Sequence, residues 1–235
     1  MSGPSALTSV VLKARAQHTA SVIFLHGLGD SGHGWAPVAQ ILSRTLPHVK
    51  FILPNAPESP VTLNFGMSMP SWYDIKSLGR VTKDEDEAGM RESMIKVNKI
   101  ISDEVAAGIS PERIVLGGFS QGGAMALFTG LQSELKLGGL IVLSAYLPIR
   151  DRIFQLATEA SKSVPIMQGH GTADGVVLFE YGKMTNETLT SKGYDCKFHV
   201  YEHMEHSSCE DEIMHMSLFL KKRIPEQFTP PASSL

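Results

Sequence analysis

The sequence predicts an α/β fold, a mostly parallel sheet covered by helices on both faces. Three observations carry that prediction. Six short apolar runs of strand length recur along the chain, at residues 21–26, 51–53, 114–119, 140–144, 164–169 and 197–201. Most of them are continuously apolar rather than alternating, as strands buried on both faces are. Helical stretches lie between them, the arrangement that returns a chain to a parallel sheet through right-handed crossovers.

Taken in order, residues 1–19 precede the first run and read as an N-terminal extension or an edge strand. Their longest apolar patch, Val10, Val11 and Leu12, lacks the basic flank and length of a signal peptide. Ser2 stands where N-myristoylation requires glycine. The first run leads into Gly27, Leu28, Gly29 and Asp30, a turn flexible enough to aim a backbone N–H. Such a turn also suggests phosphate binding, but neither the GxGxxG nor the Walker spacing follows.

Residues 54–80 carry no helix signal and are too long for a passive connection. Within them Val61, Leu63, Phe65, Met67 and Met69 alternate with polar residues or glycine. A period of two predicts an extended ribbon with one apolar face, laid on the core or turned to a ligand. A helix is expected over 88–107, where Met90, Met94, Val97, Ile101 and Val105 form a stripe. Asp84, Glu85, Asp86 and Glu87 sit where carboxylates complement its N-terminus.

The run 114–119 passes directly into a helix that includes 124–131, and a last helix begins near Cys209, with Ser207 or Ser208 placed to cap it. No linker or repeat divides the chain, so residues 20–224 are expected to form one domain and 225–235 a flexible tail.

Composition sets limits on function. The 235 residues are 43% hydrophobic and 19% charged, enough for one sizeable core and unlike a disordered or fibrous chain. With 21 basic and 24 acidic residues the net charge is −3, which gives no drive toward nucleic acid or anionic lipid. Two cysteines, Cys196 and Cys209, are too few for a disulfide scaffold and fit a reducing compartment. No run approaches the roughly 18 apolar residues that span a bilayer. The expected setting is the cytoplasm, with the nucleus as a further one.

The chemistry concentrates at strand ends. Gly118, Phe119, Ser120, Gln121 and Gly122 spell GxSxG between an apolar strand and a helix. A serine on so sharp a turn takes a strained backbone and is thrust outward, while glycine neighbours let strand and helix approach. A serine nucleophile needs a base, and the base an orienting acid. Asp174 follows the run 164–169 and is the one acid between His170 and Glu180. Near the end of 197–201 lie His199, His203 and His206. His199 falls within the strand and His203 at its junction, so His206, on the turn before a helix, is preferred as base over His203. The order Ser, Asp, His is that of α/β-hydrolases. An oxyanion hole is expected from the N–H of Gln121, after the nucleophile, and that of Leu28, after the first strand.

These motifs together resemble the acyl-protein thioesterase/lysophospholipase family of serine hydrolases, from about residue 20 to 224. The similarity is carried by HGLGDSG at 26–32, FILPNAP at 51–57, MPSWYDI at 69–75, GFSQGGA at 118–124 and HSSC at 206–209. It implies a single-domain α/β-hydrolase that cleaves fatty acyl thioesters from protein cysteines and acyl esters from lysophospholipids. It assigns Ser120, Asp174 and His206 to the triad and Leu28 and Gln121 to the oxyanion hole. It also implies transient membrane contact and no cofactor or metal. The chain departs from the family where Gly175 replaces a common proline and His203 a common glycine. Ser2 departs from relatives that carry an acylated N-terminal cysteine.

An acyl chain requires an apolar trough. Leu63 and Trp72 are its expected wall, extended by Tyr146, Val176 and Phe179 beside the proposed active-site loops. A general carboxylesterase preferring short-chain esters is the alternative activity. Two readings of other classes are a metal site from His199, His203, His206 and Cys209, whose spacing matches no standard zinc pattern, and a non-catalytic lipid-binding module.

Overall fold

The computed structural model describes residues 6–77 and 85–227. Nine strands and seven α-helices follow the chain as β1 (Ser9–Leu12), β2 (Ala20–Leu25), α1 (Gly32–Thr45), β3 (Val49–Pro54), β4 (Glu58–Val61), β5 (Met67–Pro70), α2 (Glu87–Ala106), β6 (Ile114–Phe119), α3 (Gln121–Leu131), β7 (Gly139–Leu143), α4 (Ile153–Leu156), α5 (Glu159–Lys162), β8 (Ile166–Gly171), α6 (Phe179–Ser191), β9 (Cys196–Tyr201) and α7 (Glu210–Arg223) among these residues. Seven strands form one sheet in the order β1-β3-β2-β6-β7-β8-β9. All its pairings are parallel except that of β1, which adds to β3 as an antiparallel edge strand.

The period of two along the strands explains the two cores. Ile23, Leu25, Leu116 and Val142 point to the face covered by α2, α3 and α6. Val22, Phe24, Val115 and Ile141, between them in sequence, point to the face covered by α1 and α7. The carboxyl ends of β2, β6, β8 and β9 consequently open on one edge of the sheet, where loops in such folds carry ligands.

Helix α2 buries Met90, Val97 and Ile101 as the stripe requires, but Ser93 and Glu104 complete that face while Met94 and Val105 are only partly buried. Glu104 is tied down by Lys50 at 2.5 Å and Ser21 at 2.5 Å, joining the helix to β3 and β2. Asp86 caps α2 by accepting the Gly89 N–H, and Glu87 lies in the first turn. Glu85 instead accepts the Ile149 N–H from the segment after β7; Asp84 lies outside the described residues.

The ribbon expected over 61–69 is corrected. Its alternation is broken by a 3-10 turn over Thr62–Asn64 and by left-handed backbone at Phe65 and Gly66, φ 57° and 77°, so the segment folds back as the β4-β5 hairpin. The Asp74 carboxylate fixes the turn by accepting the Thr62 N–H and hydroxyl. Val61 faces the core, Leu63 is half-buried, and Phe65 stands 98% exposed at the tip.

Cys209, not a serine, occupies the cap position of α7 and makes no side-chain capping bond. Of the expected tail, 228–235 lie outside the described residues, and the Pro225 carbonyl is held by Arg113.

Candidate active site

One residue, Ser120, turns the chain from β6 into α3, at φ 55° and ψ −121°. A non-glycine residue there carries about 1–3 kcal/mol of strain, which the surroundings must hold in place. The Leu143 carbonyl takes its N–H at 2.9 Å, and its own carbonyl takes the Ala124 N–H at 3.1 Å. Packing dictates the glycines. A Cβ on Gly118 would stand 2.3 Å from the Gly122 carbonyl, and one on Gly122 2.2 Å from the Leu25 carbonyl.

His206 comes from the loop after β9. Its Nε2 lies 3.0 Å from Ser120 Oγ and its Nδ1 2.7 Å from Asp174 Oδ2. A carboxylate only accepts, so Nδ1 carries the proton and Nε2 is free to accept from the serine hydroxyl. The ring rests against Phe119 at 4.7 Å between centroids.

Asp174, 4% exposed, follows β8. Oδ1 accepts the N–H groups of Val176 and Val177, each at 2.9 Å, and Oδ2 also faces His170 Nε2 at 3.4 Å. Burial opposes its ionisation, yet the hydrogen bonds from His170, His206 and Val176 and the His206 charge outweigh burial and hold the carboxyl well below the usual range.

The two expected oxyanion donors flank the serine. Gln121 opens α3, so its N–H has no carbonyl within the helix to bond. Leu28 lies in the turn after β2, where a Cβ on Gly27 would be 3.4 Å from Ser120 Cβ. Side chains knit the two together. Gln121 Oε1 accepts the Trp72 N–H at 3.0 Å, its Nε2 donates to Tyr73 O and Ser71 Oγ, and the Trp72 indole N–H donates to His26 O at 2.8 Å.

Trp72 and Tyr146 are therefore corrected as trough walls. Trp72 is 1% exposed and bridges the end of β2 and the start of α3 through His26 and Gln121, while Tyr146 is buried with its hydroxyl 2.7 Å from that of Tyr73. Both are consumed by the core. Phe179 is half-buried, stacked on Phe198 and edge-on to His170. Val176 and Leu178, beside Asp174, are each nearly half exposed, whereas Leu63 is half-buried and packs against the core.

The four residues of the metal alternative do not converge. His199 packs tilted against His215, ring centroids 4.1 Å apart, and His203 occupies an exposed turn at φ 61° with its N–H on Thr172 Oγ1. Among the described residues no group of three or more His, Cys, Asp or Glu is arranged to hold a metal ion. Burial, His215 and Lys197 push His199 down to about 4.

Sequence reasoning missed His170, Trp72 as a bridge and the Gln121 side chain as a clamp. His170 carries a signal, since it shares the strand end of Asp174 at a spacing of four. The other two depend on tertiary contacts that no local pattern encodes.

Residues 7–224 match the model of the phospholipase/carboxylesterase family. The chain belongs to this family. Among curated relatives, it is 46% identical to acyl-protein thioesterase 1 of Mycosarcoma maydis, over 95% of this chain and 100% of that protein. It is 45% identical to acyl-protein thioesterase 1 of Yarrowia lipolytica, over 93% and 98%. Among solved structures, SOBER1 of Arabidopsis thaliana superposes with a TM-score of 0.83 at 36% identity, covering 88% of this chain and 99% of that one. Acyl-protein thioesterase 2 of Zea mays gives 0.82 at 27%, covering 92% and 99%. As a member of the phospholipase/carboxylesterase family the protein is a hydrolase with the α/β-hydrolase fold.

Proposed function

We propose that this protein hydrolyses fatty acyl thioesters on protein cysteines, and acyl esters of lysophospholipids, through an acyl-enzyme on Ser120. The reading rests above all on the line of hydrogen bonds from Ser120 through His206 to Asp174. The likeness to proteins named acyl-protein thioesterase supports its substrate class.

His206 Nε2 takes the hydroxyl proton as Ser120 Oγ attacks the acyl carbonyl, and the N–H groups of Leu28 and Gln121 hold the oxygen that becomes negative. Collapse expels the thiol or alcohol, which receives the proton from His206. Water, deprotonated by the same nitrogen, then cleaves the Ser120 ester. Asp174 keeps the proton on Nδ1 and stabilises the imidazolium of each transition state.

Residues 20–224 form the catalytic unit in this proposal, working in the cytoplasm. Among the described residues no helix is long and apolar enough to cross a membrane. Contact with lipid is transient and made by the β4-β5 hairpin, whose tip exposes Phe65 and Met67. Together with Leu63 and Val176, that tip offers an acyl chain an apolar approach to the serine.

The test compares wild type with Ser120→Ala on an S-palmitoyl peptide, a lysophospholipid and a short-chain ester. Ser120→Ala is expected to lose at least about 10⁴-fold in kcat on all three while melting at or above the wild-type temperature. A folded variant with near-wild-type turnover rules the mechanism out, and activity confined to the short-chain ester supports the carboxylesterase alternative.

A further inference from the structure

We propose that His26 is a positioning residue, a neutral imidazole protonated on Nδ1 that aims the Leu28 N–H at the developing oxyanion. The inference builds on Leu28 as an oxyanion donor in the proposed function. Nδ1 of His26 lies 2.7 Å from the Gly27 carbonyl oxygen, and Nε2 lies 3.0 Å from the Ala56 backbone nitrogen. An amide N–H only donates and a carbonyl only accepts. Nε2 must therefore be the bare nitrogen and Nδ1 the donor, which fixes the tautomer from both sides.

The Gly27 carbonyl and the Leu28 N–H belong to one peptide plane. In a trans peptide they point in opposite directions, so a donor that pins the carbonyl sets where the N–H points. The Asp30 N–H reaches the same carbonyl at the longer distance of 3.2 Å, and the Gly29 N–H is held by the Pro70 carbonyl. Without His26 this plane, hinged at Gly27, would keep only the longer Asp30 bond on its carbonyl among the described residues. A hydrogen bond on the carbonyl also polarises the amide and strengthens the N–H as a donor.

The ring suits the task. It is 1% exposed and rests against Trp72 at 5.3 Å, the residue whose indole holds the His26 carbonyl. Burial lowers its pKa against the opposing pull of the Gly27 carbonyl and Asp30, in keeping with the neutral ring that the Ala56 N–H on Nε2 requires.

Two variants separate the ring's bonds. His26→Gln retains an acceptor near the Nε2 position and loses the donor at Nδ1, and His26→Asn retains a donor near Nδ1 and loses the acceptor. His26→Gln is expected to lower kcat about 10–100-fold, less than removal of an oxyanion donor outright, with KM changed less than threefold. It should weaken a trifluoromethyl ketone, which forms an oxyanion on the serine, by the same factor, and His26→Asn should recover most of both losses.

His26→Gln with wild-type kcat and ketone affinity overturns the proposal. So does a loss seen in KM or thermal stability alone. Ser120→Ala run alongside keeps the readings distinct: an active Ser120→Ala defeats the proposed function, whereas an inactive one beside a fully active His26→Gln defeats only the role of His26. Nitrogen NMR of the wild type applies even if both variants misfold. A proton on Nδ1 of His26 at neutral pH is expected, and one on Nε2 contradicts the inference.

Discussion

Asp174 illustrates how much a single side chain is made to do. Its carboxylate is met by N–H groups alone, two from the backbone on Oδ1 and, on Oδ2, His206 at 2.7 Å and the more distant His170 at 3.4 Å. Asp174→Asn would keep an oxygen for Val176 and Val177 but turn an NH₂ group toward His206 Nδ1, favouring the wrong tautomer. The variant should fold and bind substrate with little change in KM while kcat falls about 10⁴-fold, measured by steady-state hydrolysis. Loss of KM with kcat retained would contradict that role.

At this scale the sequence was informative where chemistry restricts the choice of residue. Strand-end position singled out Ser120 and Asp174, and of the two histidines it is His206 that the fold brings within hydrogen-bond distance of both. His203 takes a positive φ of 61°, a backbone that glycine would adopt more easily. The inward turn of Trp72 left no trace in the sequence, because an aromatic residue in a long loop reads equally as core or as ligand wall.

Elements carry costs that single residues do not reveal. Helix α7 buries Glu212 completely against β8, with neither carboxyl oxygen partnered among the described residues. Glycine at 169 makes the room, since a Cβ there would lie 2.4 Å from Glu212 Oε1. Burial pushes this carboxyl from 4.5 up to about 8, and burial likewise pushes Glu85 up to about 7. Between 4.5 and 8 the folded protein keeps a proton that the unfolded chain has released, so stability is full at acid pH and declines as pH rises. Denaturant unfolding at about pH 5 and pH 8 should show wild type losing on the order of a few kcal/mol, and Glu212→Gln distinctly less. Parallel losses would show that Glu212 does not titrate in this window.

Strands were legible because continuous apolar runs admit few alternatives, and α2 because its stripe, Met90 to Val105, spans about four turns. Helix α1 escaped notice because Gly32, Gly34 and Pro37 lie in its first two turns, and α6 because three threonines dilute its apolar face. The β4-β5 hairpin was misread because a period of two persists in sequence through a turn that reverses direction in space.

For the molecule as a whole, the parallel sheet turns the carboxyl ends of its central strands to one edge and thereby gathers side chains more than eighty residues apart in sequence, as with Ser120 and His206. Alternating strands and helices predict that gathering, whereas the antiparallel addition of β1 at the far edge follows from no local signal. The hairpin projects from the β2 side of this edge, anchored by the bond from Gly29 to Pro70. If it mediates lipid contact, Phe65→Ser should reduce co-sedimentation with phosphatidylcholine vesicles several-fold without lowering the melting temperature, as its side chain is almost fully exposed. Unchanged sedimentation would remove the hairpin from that role.

The central claim is that the Ser120 hydroxyl, activated through His206, is the nucleophile. Its most direct measurement is titration with a long-chain alkyl fluorophosphonate, followed by peptide mass mapping and assay of the residual thioesterase activity. The account predicts stoichiometric modification of Ser120, with activity lost in proportion. Modification at another residue, or full activity after Ser120 is completely labelled, would contradict it.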